Sequence, residues 1–180
     1  MPNVASVMQR ASPYGVGALV LAGAAAVILA ALAFEHIAGY MPCPLCLQQR
    51  YAYYFAIPAL IAALALTGMR RSSAAAGVFL AVALVFVVNA GLGVYQAGAE
   101  WKFWDPPASC AAPSTLPSLD LKGQTFDRIP VSCGVASWRF LGLSFAGWNV
   151  VASVLLAGGA ATAAAVEGGW WRLAPDPVSR

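Results

Sequence analysis

Apolar positions in this chain come in long unbroken runs rather than in short alternating stretches. No charged residue lies between Arg10 and Glu35, between Arg50 and Arg70, between Arg71 and Glu100, or between Arg139 and Glu167. Roughly 20 apolar residues cross the hydrocarbon core of a bilayer as a helix, and each run is long enough. The pattern predicts four transmembrane helices, over residues 13–34, 48–68, 74–97 and 141–164. Residues 98–140 break it: they carry both signs of charge and are punctuated by Pro106, Pro107, Pro113, Pro117 and Pro130. They are expected to form one large extramembrane loop between the third and fourth helices. The fold class that follows is all-α, a single-domain integral membrane four-helix bundle.

Composition supports the same class. The chain is 61% hydrophobic and 9% charged, against about 25% charge in a soluble domain. Disorder is excluded by the apolar content. The net charge of +3 is spread thinly, with no basic cluster longer than Arg70-Arg71, which argues against a nucleic-acid partner. A cleaved leader would need Arg10 as its basic region and Ala31-Leu32-Ala33 as its processing site. The uncharged run is longer than the usual ~7–15-residue core, so the segment is read as a retained span. Gly91, Gly93, Gly158 and Gly159 are expected to serve helix packing, and Trp101, Trp104 and Trp138 to anchor at the interface.

Four spans place both termini on one side and the two remaining loops on the other. All four cysteines fall in those loops, Cys43 and Cys46 in the first, Cys110 and Cys133 in the second. Parity alone lets them meet at one end of the bundle. Arg10, Arg70, Arg71, Arg172 and Arg180 lie opposite, in shorter segments than the basic residues of the cysteine side. The positive-inside rule then makes the termini cytoplasmic and puts the cysteines in a compartment where disulfides persist.

Cys43-Pro44-Leu45-Cys46 fits a redox pair, half a zinc site or a structural bridge. Pro44 suits the first position of a helix, where its missing N–H costs nothing. That makes Cys43 the N-cap and puts Cys46 in the first turn, where free N–H groups and the helix dipole favour a thiolate. Arg50 follows Cys46 by one turn on the same face. An arginine opening an apolar span is a functional candidate, its expected work being to hold a thiolate and the oxygen of an electron acceptor; the bland reading is snorkelling to headgroups. Cys110 and Cys133 bracket a proline- and glycine-containing segment expected to be mobile. They suit exchange with a partner's thiolate or a static staple. Four cysteines could also close a tetrahedral zinc site, but the second C-x-x-C that most such sites use is missing. With one histidine, His36, no bis-histidine haem is possible; no iron–sulfur run and no nucleotide-binding fingerprint are present. A membrane dithiol lacking another redox centre needs an acceptor dissolved in lipid, for which a quinone is the obvious candidate.

Cys43-Pro44-Leu45-Cys46-Leu47-Gln48-Gln49-Arg50 resembles the C-x-L-C-x-x-x-R signature of the bacterial disulfide-bond formation protein B family. The stretch from Cys133 through Trp138 and Phe140 to Leu143 resembles that family's passage from its last cysteine into the fourth span. Trp104 to Cys110 resembles the approach to its third cysteine. The order agrees, so the resemblance covers residues 15–165. It implies an inner-membrane thiol:quinone oxidoreductase, using ubiquinone or menaquinone, that reoxidises a periplasmic thioredoxin-like (DsbA-type) dithiol oxidase. Cys110 would take the partner's attack. Cys133 would release the oxidised partner and pass reducing equivalents to Cys43. Cys46 would face the quinone and Arg50 would stabilise its charge. The chain departs from the family pattern at Gln48 and Gln49, where some relatives have an acid. It departs again at Gly134-Val135, where relatives often carry acids, and at Tyr95-Gln96, near a frequent histidine. A vitamin K epoxide reductase-like enzyme has its loop pair before its C-x-x-C, the reverse of the order here. A protein that moves electrons outward to reduce periplasmic proteins would need cysteines accessible from inside, where parity puts none; a structural membrane protein with static disulfides is the third alternative.

Overall fold

The computed structural model describes residues 12–107, 110 and 133–169. Four long helices follow one another: α1, Pro13–His36; α2, Pro44–Gly68; α3, Ser72–Glu100; and α4, Phe145–Gly168. At 24 to 29 residues and 1.5 Å per residue they measure about 36–44 Å, more than the roughly 30 Å hydrocarbon core. All four are long and apolar enough to cross a membrane.

Local chemistry sets the ends. Ser12 caps α1 ahead of Pro13, and Ser144 caps α4 by accepting from the Gly147 N–H at 3.3 Å. Gly169, at φ 66°, closes α4 in the left-handed conformation that a helix C-terminus favours. The fourth helix starts at Phe145 rather than at 141. The preceding residues form a small antiparallel hairpin, β1 (Arg139–Phe140) and β2 (Leu143–Ser144). Leu141 and Gly142 at its tip both have positive φ, as a tight two-residue hairpin turn requires. The second helix begins at Pro44, four residues before the expected edge, because Cys43 caps it.

The helices pack through small side chains. Ala24, Ala56, Ala63, Ala75, Ala160, Ala163 and Ala164 are fully buried, alongside Leu60, Phe79, Val82 and Phe86. Backbones can therefore approach closely, which is how helices gain packing energy where lipid removes the hydrophobic drive. Of the four glycines singled out, two fulfil that role. A Cβ on Gly93 would lie 2.7 Å from Val150, and one on Gly159 would lie 2.6 Å from Val20. A Cβ on Gly91 or Gly158 would meet nothing within 4 Å among the described residues, so neither is needed for close helix approach within the chain. Leu19, Leu84, Val88 and Leu155 are exposed on the outer surface, as acyl-chain contact demands.

The topology brings the C-terminus of α1, the N-terminus of α2, the C-terminus of α3 and the hairpin at the start of α4 to one end. Both cysteine couples sit there. The tails bearing Arg10, Arg172 and Arg180, and the loop segment with Pro113, Pro117, Lys122, Gly123, Arg128 and Pro130, lie outside the described residues.

Candidate active site at the cysteine end

Cys43 is the N-cap of α2, and its sulfur accepts the Cys46 N–H at 3.2 Å. The two sulfurs are 2.6 Å apart, so a small displacement separates them from a disulfide of about 2.05 Å. The hydrogen bond with Cys46, and then burial, push the Cys43 thiol above its ordinary value. Cys110 and Cys133 are joined in a disulfide with a Cα–Cα distance of 5.3 Å. They are 3% and 1% exposed and pack with Cys43 and Leu45. Both sulfurs are buried, whereas the sequence reading of a bridge open to a partner's thiolate would have them accessible; the segment expected to be mobile lies outside the described residues. Lys102 braces the arrangement, its Nζ donating to the Gly134 carbonyl at 3.0 Å.

A cavity of about 460 Å³ opens beside Cys43 and Cys46. Phe34, Trp138, Phe145 and Trp148 wall one side, and Gln49, Arg50, Tyr53, Gln96 and Glu100 line the other. Trp138 stacks on Phe145 at 4.8 Å and on Phe140 at 5.8 Å. It is a wall of the cavity rather than a simple interfacial anchor. Trp104 instead stacks on Tyr95 and donates to its carbonyl at 2.9 Å, over Gly98, where a Cβ would strike the indole at 2.1 Å. Trp101 is exposed and meets Phe103 edge-on. His36 lies outside the cavity, exposed, with Nδ1 3.0 Å from the Leu32 carbonyl.

Arg50 lines the cavity, one turn below Cys46. Its guanidinium donates to Glu35 of α1 rather than to a sulfur. A carboxylate thus anchors the guanidinium of a residue that lines the cavity.

The residue that touches the sulfurs is Gln96. Its Nε2 donates to Cys46 at 3.3 Å, to Cys43 at 3.4 Å and to Glu100 Oε1 at 3.2 Å. Its Oε1 accepts from Gln49 Nε2 at 2.7 Å. Gln49 in turn accepts from Asn149, whose Oδ1 takes the Tyr53 hydroxyl at 2.6 Å. Asn89 reaches Ser153 at 3.0 Å. This polar ladder runs from the sulfurs to Ser153, eight residues into α4, or about 12 Å along its axis. Sequence reasoning noted Gln49 and Gln96 only as departures from a pattern and did not assign Glu35, Tyr53, Glu100 or Asn149 to the site. The available signal was positional. Asn89, Gln96 and Glu100 recur at seven and four residues in an apolar helix, and Gln49 and Tyr53 follow Cys46 on one face. Polar side chains on one stripe of a membrane helix default to a functional reading.

A protein-family model described as Disulfide bond formation protein DsbB matches residues 14–163. The chain is 30% identical to Disulfide bond formation protein B of Verminephrobacter eiseniae, covering 81% of this chain and 82% of the relative. It is 35% identical to the protein of the same name from Aromatoleum aromaticum, over 70% and 76% respectively. The like-named protein of an Acidovorax species is 29% identical over 94% of this chain and 95% of its own. No solved structure matches the chain.

Proposed function

Because the chain belongs to the disulfide bond formation protein B family, a family of membrane oxidoreductases that generate disulfides, we propose that it couples a periplasmic dithiol protein to membrane quinone. The observation that supports this reading is the Cys43–Cys46 pair in the wall of an apolar cavity, with the Cys110–Cys133 disulfide packed on its other side. The membrane is the bacterial inner membrane, the cysteine end periplasmic and the termini cytoplasmic.

The cavity suits a quinone. Its volume falls in the range of roughly 300–1,000 Å³ typical of small-ligand sites, and such sites pair apolar walls with a few polar groups. Phe34, Trp138 and Phe145 would hold a flat ring by stacking, and Arg50 would donate to a ring oxygen. Bound there, the quinone supplies a lipid-soluble two-electron oxidant. A partner's thiolate attacks Cys110, forming a mixed disulfide and releasing Cys133. The partner's second thiol displaces Cys110 and leaves oxidised. Cys133 then attacks Cys43, freeing Cys46 as a thiolate against Gln96 and the cavity, and Cys110 attacks Cys133 to restore the Cys110–Cys133 disulfide and release Cys43. The driving force is modest at each exchange, about 1.4 kcal/mol per 30 mV, so removal of electrons at the last step can draw the relay forward. Burial of Cys110 and Cys133 requires docking of the partner to uncover them.

The test is anaerobic mixing of the purified protein with a reduced thioredoxin-fold dithiol oxidase and either ubiquinone or menaquinone, following quinol formation. Stoichiometric quinol supports the reading. No quinol, with both cysteine couples remaining oxidised when quinone is withheld and partner added, would mean static bridges.

A further inference from the structure

Gln96 is buried beside the Cys43–Cys46 couple, with Nε2 3.3 Å from Cys46 and 3.4 Å from Cys43. A side-chain amide can turn either end to a neighbour, and only its nitrogen donates. Which end meets the sulfurs is decided farther off, because each group of the polar ladder holds the next in one sense. The Tyr53 hydroxyl donates to Asn149 Oδ1, Asn149 Nδ2 to Gln49 Oε1, and Gln49 Nε2 to Gln96 Oε1. With its oxygen taken, Gln96 has its nitrogen left for sulfur. Turning the whole ladder round would set nitrogen against nitrogen where Asn89 Nδ2 now meets Asn149 Oδ1 at 3.5 Å. It would also set oxygen against oxygen where Gln96 Nε2 now meets Glu100 Oε1 at 3.2 Å. Both ends enforce the same sense.

We propose that Gln96 is a catalytic residue of the relay, donating an N–H to whichever sulfur of the Cys43–Cys46 couple leaves with the bonding electron pair, and that Gln49, Asn149 and Tyr53 are positioning residues that keep its nitrogen turned to the couple. The inference rests on the thiol:quinone reading above and adds the donor that its internal exchanges need. A sulfur leaving into an apolar cavity develops negative charge where solvent is a poor partner. A fixed donor aimed at that spot is worth more there than in water, because it has no reorganisation to undergo. The Arg50 guanidinium is bonded to Glu35 instead.

One hydrogen serves both leaving sulfurs. Gln96 Nε2 carries two; one is directed at Glu100, and the other lies between two sulfurs at nearly equal distance. In the first exchange the Cys133 thiolate attacks Cys43. The Cys133–Cys43 bond forms, the Cys43–Cys46 bond breaks, and the electron pair stays on Cys46. In the second the Cys110 thiolate attacks Cys133. The Cys110–Cys133 bond forms, the Cys133–Cys43 bond breaks, and the pair stays on Cys43. Each step trades one sulfur–sulfur bond for another and one thiolate for another. Two electrons pass from the loop couple to the helix couple, with no proton and no outside oxidant in the balance.

The test follows opening of the Cys43–Cys46 disulfide in the oxidised, quinone-free protein after mixing with dithiothreitol, by acid quench, thiol trapping and mass measurement of each couple. Gln96→Met, which keeps side-chain length, should slow that opening about 10- to 150-fold, the factor for one hydrogen bond to a charged group. Opening of Cys110–Cys133 should keep its native rate. Gln49→Met leaves Gln96 in place but frees its amide to turn, so it should slow the same step by a smaller factor. The double variant should be no slower than Gln96→Met alone. Native-rate opening of Cys43–Cys46 in either single variant, multiplied effects in the double variant, or equal slowing at both couples would overturn the proposal; the last would mark the ladder as a tie between helices. Should Gln96→Met fail to fold, as read by melting in detergent, Gln49→Met still decides. Slowing as expected in a protein that makes no quinol would refute the quinone reading and leave the sulfur donor standing.

Discussion

Replacing Arg50 with alanine should weaken quinone use far more than thiol exchange, and the size of the effect can be worked out. Arg50 is 12% exposed and its partner Glu35 is 26% exposed, so the pair is only partly screened. A hydrogen bond from a charged donor is worth about 1.5–3 kcal/mol net. At 1.36 kcal/mol per decade, losing one such bond to a quinone oxygen raises KM about 10- to 150-fold. Arg50→Ala has a second effect, since it strands the Glu35 carboxylate at the cavity edge. Glu35→Gln separates the two. Alone it should raise KM by a smaller factor, because Arg50 keeps its donors but loses its anchor. Added to Arg50→Ala it should cost nothing further in KM and should recover thermal stability. The assay is steady-state quinol formation across quinone concentrations for the four proteins of this cycle, with melting of each in detergent. Additive effects on KM would refute the claim that Glu35 acts through Arg50. An unchanged KM in Arg50→Ala would show that the guanidinium serves only its ion pair.

Cys46→Ser should abolish quinol formation while leaving insertion intact and Cys110–Cys133 still exchangeable with the partner; quinol formation at the native rate would discard the assigned role. Gly93→Ala should destabilise the bundle by about 1–3 kcal/mol, the usual cost of overpacking, because its Cβ would meet Val150 at 2.7 Å and the Ala146 carbonyl at 3.2 Å. Val150→Ala in the same chain should restore part of the loss, as read by melting in detergent. Trp138→Ala should remove two stacking contacts, each worth about 0.5–1.5 kcal/mol. It should raise quinone KM by about tenfold with partner exchange unchanged; equal loss in both assays would mean the indole holds the loop rather than the cavity.

The helices were legible because charge is so costly in a bilayer that its absence draws their outlines. The helical cap at Cys43 was legible too, since Pro44 leaves few other conformations. What could not be read was which polar groups meet. Glu35 and Arg50 are fifteen residues apart, and Gln49 and Gln96 forty-seven; only the bundle brings them together. The start of α4 lies four residues beyond the edge of the apolar run because Leu141-Gly142 looks like the lip of that run, whereas their positive φ values make a hairpin. Burial of Cys110 and Cys133 was missed for a similar reason. Proline and glycine nearby suggested an open loop, but the apolar surface of the first couple lay hidden in another part of the chain.

The polar ladder ends near Ser153, and beyond it the bundle interior is Leu60, Phe79, Val82 and a bed of alanines, all fully buried. That half of the molecule is an electrical insulator. If the proposed thiol:quinone reading holds, dithiol and quinone hydrogens are exchanged at a single leaflet, and no charge traverses the low-dielectric plug. Turnover should be voltage-blind: the enzyme would neither draw on the transmembrane potential nor add to it, and oxidative folding could continue at the same rate in de-energised cells so long as oxidised quinone remained.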